Sequence, residues 1–401
     1  MRIVDHEFLV PLDHDRPAGQ RITVYAREVT RDPALPWLLF LGGGPGHPAP
    51  RPLGDEGWLL RALDDYRVLL LDQRGTGRST PVTPAADAAY LAHFRADAIV
   101  RDAELIRHTV TGGVPWTVLG QSFGGFCTVT YLSFAGDGLR GAIITGGLPG
   151  VESDAVDVYR RLYPVVAART RDHYATYPDD AATATRVAEH LPHNDIRLPD
   201  GRRLTVAAFQ SVGSVLGGRD GSARLHYLLE APFDGDRLTT AFLFGVQEAL
   251  SWATAATPIY YLLHEPSYAQ GAATNWAATR VRAEFPEFDS TDPLLFTGEM
   301  IYPWMIADDP LMAPYRQAAD ALAQRTDWPP LYDVDRLRAN RVPVAAAVYD
   351  SDMYVNRDLS LRTADLIGNL RLWHTADHQH DGLRVSNGEV LSHLLALLAT
   401  A

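Results

Sequence analysis

Gly120-Gln121-Ser122-Phe123-Gly124-Gly125 is the stretch of sequence that decides the fold. It follows the apolar run 116–119 and opens a second apolar run, 126–134. A strand, a sharp turn centred on a serine and then a helix form a nucleophile elbow, the structural context that a G-x-S-x-G motif requires. Glycines are expected on both sides because the turn strains the serine backbone and brings neighbouring chain too close for a side chain. Ser122 is therefore the candidate nucleophile.

A second glycine-rich segment, Gly42-Gly43-Gly44-Pro45-Gly46, follows another apolar strand-like run, 37–41. The α/β hydrolase fold places the loop that supplies half of an oxyanion hole at this point. We expect the backbone N–H groups of Gly43 or Gly44 and of Phe123 to hold the negative oxygen of a tetrahedral intermediate, at roughly 3 to 4 kcal/mol per donor. The segment lacks the spacing and the lysine of a phosphate-binding loop.

The composition is that of an enzyme with a large core and an acidic surface. The chain has 401 residues, of which 46% are hydrophobic, and it is too long for a bare hydrolase sheet, so an inserted domain is expected. A formal net charge of -13 argues against nucleic acid and anionic membranes as partners, because both need a basic surface.

Two further features predict a cytoplasmic protein. The sequence has no uncharged apolar stretch of about 18 residues, and charged residues follow the first methionine at once, so we expect neither a membrane span nor a signal peptide. The single cysteine, Cys127, excludes an intramolecular disulfide and is typical of a reducing compartment. We interpret Cys127 as a small core residue.

The order of predicted elements indicates a doubly wound, mostly parallel α/β sheet with an inserted, mainly helical cap. The predicted domains are a first core part at 1–150, the cap at 151–335 and a second core part at 336–401. An antiparallel hairpin is expected at the start of the chain, and a closing helix at 388–398. The predicted strands are 3–10, 22–29, 37–41, 66–71, 117–119, 139–145, 342–349 and 370–374.

The fold also indicates where the partners of Ser122 should lie, because its triad follows the order serine, acid, histidine, each at the carboxyl end of a strand. Asp350 and Asp352 both follow the strand 342–349. Three histidines near the end of the next strand are candidates for the base, and His374 is the weakest of them because it still belongs to that strand. They are His374, His378 and His380. Position alone leaves these choices open, and the absence of another ligand cluster argues against a metal at His378 and His380.

These motifs together resemble the proline iminopeptidase (prolyl aminopeptidase) family of α/β hydrolases over most of the chain. Residues 43–46 match the family's GGPG loop, residues 72–79 its DQRGxGxS segment and residues 120–125 its GxSxGG elbow. In the 72–79 segment we interpret Asp72 and Arg74 as members of a buried ion pair that holds the loop, and not as catalytic groups.

The resemblance implies a choice among the open alternatives. The family's acid precedes a methionine, which implies Asp352, and its histidine precedes the last acidic loop, which implies His380. Segment 264–268 resembles the cap segment in which a glutamate binds the substrate amine, so Glu265 is the first candidate for that role. Glu299 is the second, on a weaker match. The aromatic residues around these two glutamates are expected to belong mostly to the core of the cap.

The function expected from the sequence is that of a serine aminopeptidase that removes an N-terminal residue, preferentially proline, from small peptides. Ser122, His380 and Asp352 would act through an acyl-enzyme, and no cofactor is implied. The alternative is an esterase or amidase that uses the same triad on a small-molecule substrate. Glutamates that face the pocket favour the peptidase, and an apolar cap lining favours the esterase.

Overall fold

A sheet of eight strands forms the centre of the structure, a computed structural model that describes residues 1–54, 57–251 and 254–401. The strands of this sheet are β1 (Arg2–Pro11), β2 (Arg21–Thr30), β3 (Trp37–Leu41), β4 (Arg67–Asp72), β5 (Trp116–Gln121), β6 (Leu139–Thr145), β9 (Val344–Tyr349) and β10 (Leu370–Thr375), and a separate small hairpin pairs β7 (Phe233–Asp234) with β8 (Arg237–Leu238). The sheet order is β1-β2-β4-β3-β5-β6-β9-β10. Strands β1 and β2 are antiparallel, as are β2 and β4, and every other neighbouring pair is parallel.

Helices cover both faces of this sheet, which is the doubly wound arrangement that the sequence predicts. The helices of the described chain are α1 (Gly57–Ala62), α2 (Ala88–Leu91), α3 (Ala96–Thr111), α4 (Phe123–Phe134), α5 (Ala155–Thr176), α6 (Pro178–His190), α7 (Val206–Gln210), α8 (Gly221–Leu229), α9 (Thr240–Ala249), α10 (Pro258–Leu263), α11 (Ala277–Arg282), α12 (Pro303–Ala307), α13 (Arg316–Gln324), α14 (Val334–Arg338), α15 (Arg357–Leu366), α16 (Gly382–Val385) and α17 (Glu389–Leu398). One buried cluster contains the core-facing residues of α3 and α4, and a second lies on the opposite face under α1 and α17.

The insertion between β6 and β9 is mainly helical. It contains α5 to α14, short 3-10 helices and, among the described residues, only the two-residue strands β7 and β8. Helix α14 spans the predicted boundary at 335 and packs against α4 of the core. The division of the chain at 150 and 335 stays a prediction.

Candidate active site

Ser122 occupies a strained turn between β5 and α4. Its backbone has φ 55° and ψ −124°, a conformation that non-glycine residues rarely adopt and that clusters at functional sites. A Cβ atom on Gly124 would lie 1.9 Å from the Leu41 carbonyl oxygen, and one on Gly120 would lie 2.3 Å from the Gly124 carbonyl oxygen. Both positions therefore need glycine, which is why this sequence forms an elbow here.

Asp352 and His380 form a tight pair next to this turn. The Nδ1 atom of His380 donates to Oδ2 of Asp352 at 2.7 Å, while Oδ1 of Asp352 accepts from the backbone N–H groups of Tyr354 and Val355 at 2.9 and 3.0 Å. With Nδ1 as the donor, Nε2 is the nitrogen left for proton transfer. Burial lowers the pKa of His380, but the charge and hydrogen bond of Asp352 outweigh burial and raise the pKa above its usual value.

The competing acids and bases have other surroundings. Oδ1 of Asp350 lies 2.5 Å from Nε2 of His374 in a partly exposed pair, and Arg357 lies 3.5 Å from the same oxygen. The ring of His378 packs edge-on against Trp373 at 5.8 Å. The geometry therefore brings together Asp352 and His380.

The predicted oxyanion residues surround Ser122. Gly43 and Gly44 line the same cavity as Ser122, and a Cβ atom on Gly43 would lie 3.0 Å from Cβ of Ser122. Phe123 is the first residue of α4, so its N–H lacks a partner within the helix and is available to an anion. Backbone donors on two sides of the serine are what an oxyanion hole requires.

These groups open onto one cavity of about 1060 Å³. Its walls come from the glycine loop, the elbow, the segment around α16, and cap segments between 214 and 299. Residues that line it include Gly43, Gly44, His47, Gln121, Ser122, Tyr260, Glu299, Tyr354 and His380. Its volume is slightly above the range of about 300 to 1,000 Å³ that is typical of small-molecule sites.

Glu299 is the one predicted substrate-binding glutamate that lines this cavity. It precedes α12, is partly buried, and accepts a hydrogen bond from the hydroxyl of Tyr260. Burial raises the pKa of Glu299 to about 7, against the hydrogen bond of Tyr260 and the charge of His380, both of which lower it. The cavity thus contains a carboxylate with few charged partners, close to the candidate catalytic histidine.

Glu265 lies elsewhere, and its position differs from the one expected. It is 3% exposed, and its two oxygens accept from the backbone N–H groups of Ala277 and Ala278 at 2.9 Å each. It therefore caps the N-terminus of α11, and it is absent from the cavity lining. Burial raises the pKa of Glu265 to about 7, although both backbone hydrogen bonds lower it. The geometry favours Glu299 over Glu265, the reverse of the order that the sequence indicates.

Two tyrosines of the site were missed by the sequence analysis. The ring of Tyr354 meets that of His380 edge-on at 4.7 Å, and its hydroxyl donates to the carbonyl of Ser214 in the cap. Tyr260 contacts Glu299, as described above. The only feature of the sequence that points to Tyr354 is its position two residues after Asp352.

Five aromatic residues near the two glutamates were expected to belong mostly to the core of the cap, and all five are absent from the cavity lining: Tyr261, Trp276, Phe296, Tyr302 and Trp304.

Asp72 and Arg74 each form an ion pair, but with different partners. Arg74 is fully buried and forms a bidentate ion pair with Asp102, with N–O distances of 2.7 and 2.6 Å. Asp72 binds Arg51 of the cavity lining, with one contact at 2.8 Å. The segment 72–79 thus fixes both the loop and one wall of the cavity.

The described residues contain no cluster of three or more His, Cys, Asp or Glu side chains arranged to hold a metal ion. In the same part of the chain, no helix has the length and apolar character needed to cross a membrane.

Comparison with known proteins agrees with this geometry. The family described as alpha/beta hydrolase fold matches residues 36–383, so the fold and the cavity define a hydrolase of that class. The chain is 47% identical to the proline iminopeptidase of Aeromonas sobria over 98% of this chain and 95% of that protein. It is 35% identical to the proline iminopeptidase aneH of Aspergillus aculeatus, over 99% and 93%. The chain therefore belongs to the proline iminopeptidase family of α/β hydrolases, and it is a serine hydrolase of the prolyl aminopeptidase type.

A solved structure has the same fold. The crystal structure of a proline iminopeptidase from Mycobacterium smegmatis aligns over 99% of this chain and 100% of that one, with a TM-score of 0.50 and 15% identity. At that identity the similarity concerns the fold alone.

Proposed function

We propose that this enzyme releases N-terminal proline from small peptides through a Ser122-His380-Asp352 triad. The observation that carries the proposal is that Ser122, the His380 side chain paired with Asp352, and Glu299 all face one cavity. The two relatives named proline iminopeptidase, at 47% and 35% identity, support proline as the preferred first residue.

In the proposed reaction, Oγ of Ser122 attacks the carbonyl carbon of the first residue while Nε2 of His380 takes the hydroxyl proton. The N–H groups of Phe123 and of Gly43 or Gly44 hold the resulting oxyanion. His380 then gives the proton to the leaving amine, the C–N bond breaks, and proline remains on Ser122 as an ester. Water, deprotonated by His380, hydrolyses this acyl-enzyme and releases proline.

Glu299 supplies the specificity for a free N-terminus in this proposal. The substrate ammonium would pair with its carboxylate in a largely desolvated pocket and would favour the ionised form of a group whose pKa is otherwise raised to about 7. Changing Glu299 to Gln leaves that ammonium buried without a partner, which costs about 2 to 5 kcal/mol, or roughly 30-fold to several-thousand-fold in kcat/KM.

The test compares three substrates: prolyl-aminocoumarin, its N-acetyl form and a butyryl ester. We expect Ser122→Ala to lose nearly all turnover of each, and a phosphonylating reagent to label Ser122 alone. Glu299→Gln should impair the free-amine substrate and leave the ester nearly unchanged. Glu265→Gln, outside the cavity, removes one helix-capping acceptor and should leave the ratio of free-amine to ester hydrolysis as it is in wild type. If wild type cuts the N-acetyl substrate as well as the free amine, the esterase or amidase alternative replaces the aminopeptidase.

A further inference from the structure

Part of the lining of the active-site cavity is apolar. Phe40 and Trp58 stack there with their ring centroids 4.5 Å apart, and Leu383 and Val385 of α16 also line the cavity. Phe40, Trp58 and Leu383 are each 5% exposed or less. We call these four residues the apolar lobe.

The apolar lobe lies next to the reacting groups. Leu383 is three residues after His380, and Cε1 of Phe40 lies 3.7 Å from the position of a Cβ atom on Gly42, in the glycine loop. The lobe is thus bounded by the helix that follows the catalytic histidine and by the strand that leads into the oxyanion loop.

Charged residues also line the cavity, among them Asp220 and Arg224 of the cap, and several of the others have partners. Arg51 pairs with Asp72, and Arg384 pairs with Asp381 at 3.1 Å. Glu299 binds Tyr260 on the cap side. The cavity therefore presents both a carboxylate, Glu299, and an apolar surface to a substrate.

We propose that the apolar lobe binds the side chain of the residue after the scissile bond, so that the enzyme prefers peptides with a large apolar second residue. This inference rests on the proposed function, because the proposed function determines the direction in which the peptide lies in the cavity. Glu299 holds the amine of the first residue, and His380 must reach the nitrogen of the second. The second residue therefore begins beside His380, and its side chain lies against the helix and strand that form the lobe.

The experiment measures kcat/KM for prolyl-glycinamide and prolyl-phenylalaninamide by the release of proline. C-terminal amides remove any effect of a terminal carboxylate. Burial of a phenylalanine side chain in a preformed apolar site is expected to raise kcat/KM by about tenfold or more over glycine in the wild-type enzyme. This measurement needs no variant.

A pair of valines that line the cavity provides a matched test. Val385 belongs to the lobe, whereas Val215 belongs to the 3-10 helix Ser211–Gly217 of the cap, and both are half-buried. Val385→Phe fills the lobe, so the ratio of the two kcat/KM values should fall from about tenfold or more to near one. Val215→Phe makes the same change on the cap side and should leave the ratio as it is.

Three outcomes overturn the inference. The first is a wild-type ratio within twofold, and the second is an equal loss on both amides in Val385→Phe. The third is a ratio that collapses equally in Val215→Phe. Failure of the proposed function has a different signature, which is that neither amide releases proline while the butyryl ester is still hydrolysed. In that case the inference falls with the function on which it rests.

Discussion

Asp350 and Asp352 lie two residues apart after β9, and they differ in burial and in hydrogen-bond partners. Asp352 is 3% exposed, and its oxygens are taken up by His380 and two backbone N–H groups. The oxygen of Asp350 meets His374 at the edge of the sheet, where water competes for both groups.

Replacement by asparagine is therefore expected to affect kcat differently at the two positions. Asp352→Asn is expected to lower kcat by on the order of 10³-fold or more, because an amide no longer holds Nδ1–H of His380 in the productive tautomer. Asp350→Asn removes only a partly exposed pair and is expected to change kcat little. Steady-state kinetics on prolyl-aminocoumarin measures both. Equal losses, or the larger loss in Asp350→Asn, would show that the acid is misassigned.

Sequence position narrowed the choice of triad residues, the family resemblance implied Asp352 and His380, and the structure pairs these two side chains. Both aspartates follow the same strand, and the candidate histidines fall within seven residues, so position alone leaves each within reach of Ser122. Glu265 and Glu299 lie in cap segments of similar character. Only the folded chain reveals that Glu265 faces the N-terminus of α11, because nothing in the local sequence determines which distant backbone meets it.

The raised pKa of Glu299 predicts how the free energy of unfolding depends on pH. Burial raises its pKa from an ordinary value of 4.5 to about 7 in the folded protein. The folded state therefore favours the protonated carboxyl. The contribution of Glu299 to the free energy of unfolding is complete below pH 4.5 and is lost as the pH rises through 7. The loss amounts to at most about 3 kcal/mol.

Glu299→Gln cannot ionise, so it should be more stable than wild type at pH 8.5 and about equally stable at pH 5. Urea unfolding at both pH values measures the difference. Glu230→Gln, at an exposed glutamate, is the control and should show no such pH-dependent gap. A gap for Glu299→Gln of the same size at both pH values would contradict the assigned pKa shift.

At the scale of elements, the sequence predicted the strands well. The hairpin predicted at 3–10 and 22–29 is present as β1 and β2, and the short buried runs became parallel strands because only a strand covered on both faces needs a continuous apolar run. The cap was harder to predict in detail. Helices such as α7, α10 and α12 have five or six residues, too few to show a helical repeat of apolar positions.

The packing of α4 against the end of β3 predicts which glycines the fold needs. Gly124→Ala places a methyl group 1.9 Å from the Leu41 carbonyl oxygen, a backbone atom that cannot move away alone, so we expect a loss of about 4 kcal/mol or more, or a failure to fold. At Gly136 the nearest atom lies 4.0 Å away, so Gly136→Ala should change stability by no more than about 1 kcal/mol. Urea unfolding ranks the two, and similar values would refute the close approach.

At the scale of the whole molecule, one buried arginine joins the core to the cap. Arg95 precedes α3 and is 1% exposed. Its guanidinium donates to the carbonyls of Pro266 and Ala269 at 3.1 and 2.7 Å and to that of Pro329 at 2.8 Å. The ring of Trp328 lies 4.5 Å from the same group. The three carbonyls belong to two separate segments of the insertion, so this one side chain ties both segments to the core.

Arg95→Met should therefore destabilise the protein and its active site together. The change keeps much of the apolar stem but leaves three carbonyls without their donor, which is expected to cost about 3 to 5 kcal/mol. Because Glu299 and Tyr260 lie in the cap while Ser122 lies in the core, kcat/KM should fall at urea concentrations that leave wild type fully active. Arg101→Met is the control, because its ion pair with Asp15 is exposed and worth about 1 kcal/mol or less. If Arg95→Met and Arg101→Met unfold at the same urea concentration, Arg95 does not hold the cap on the core.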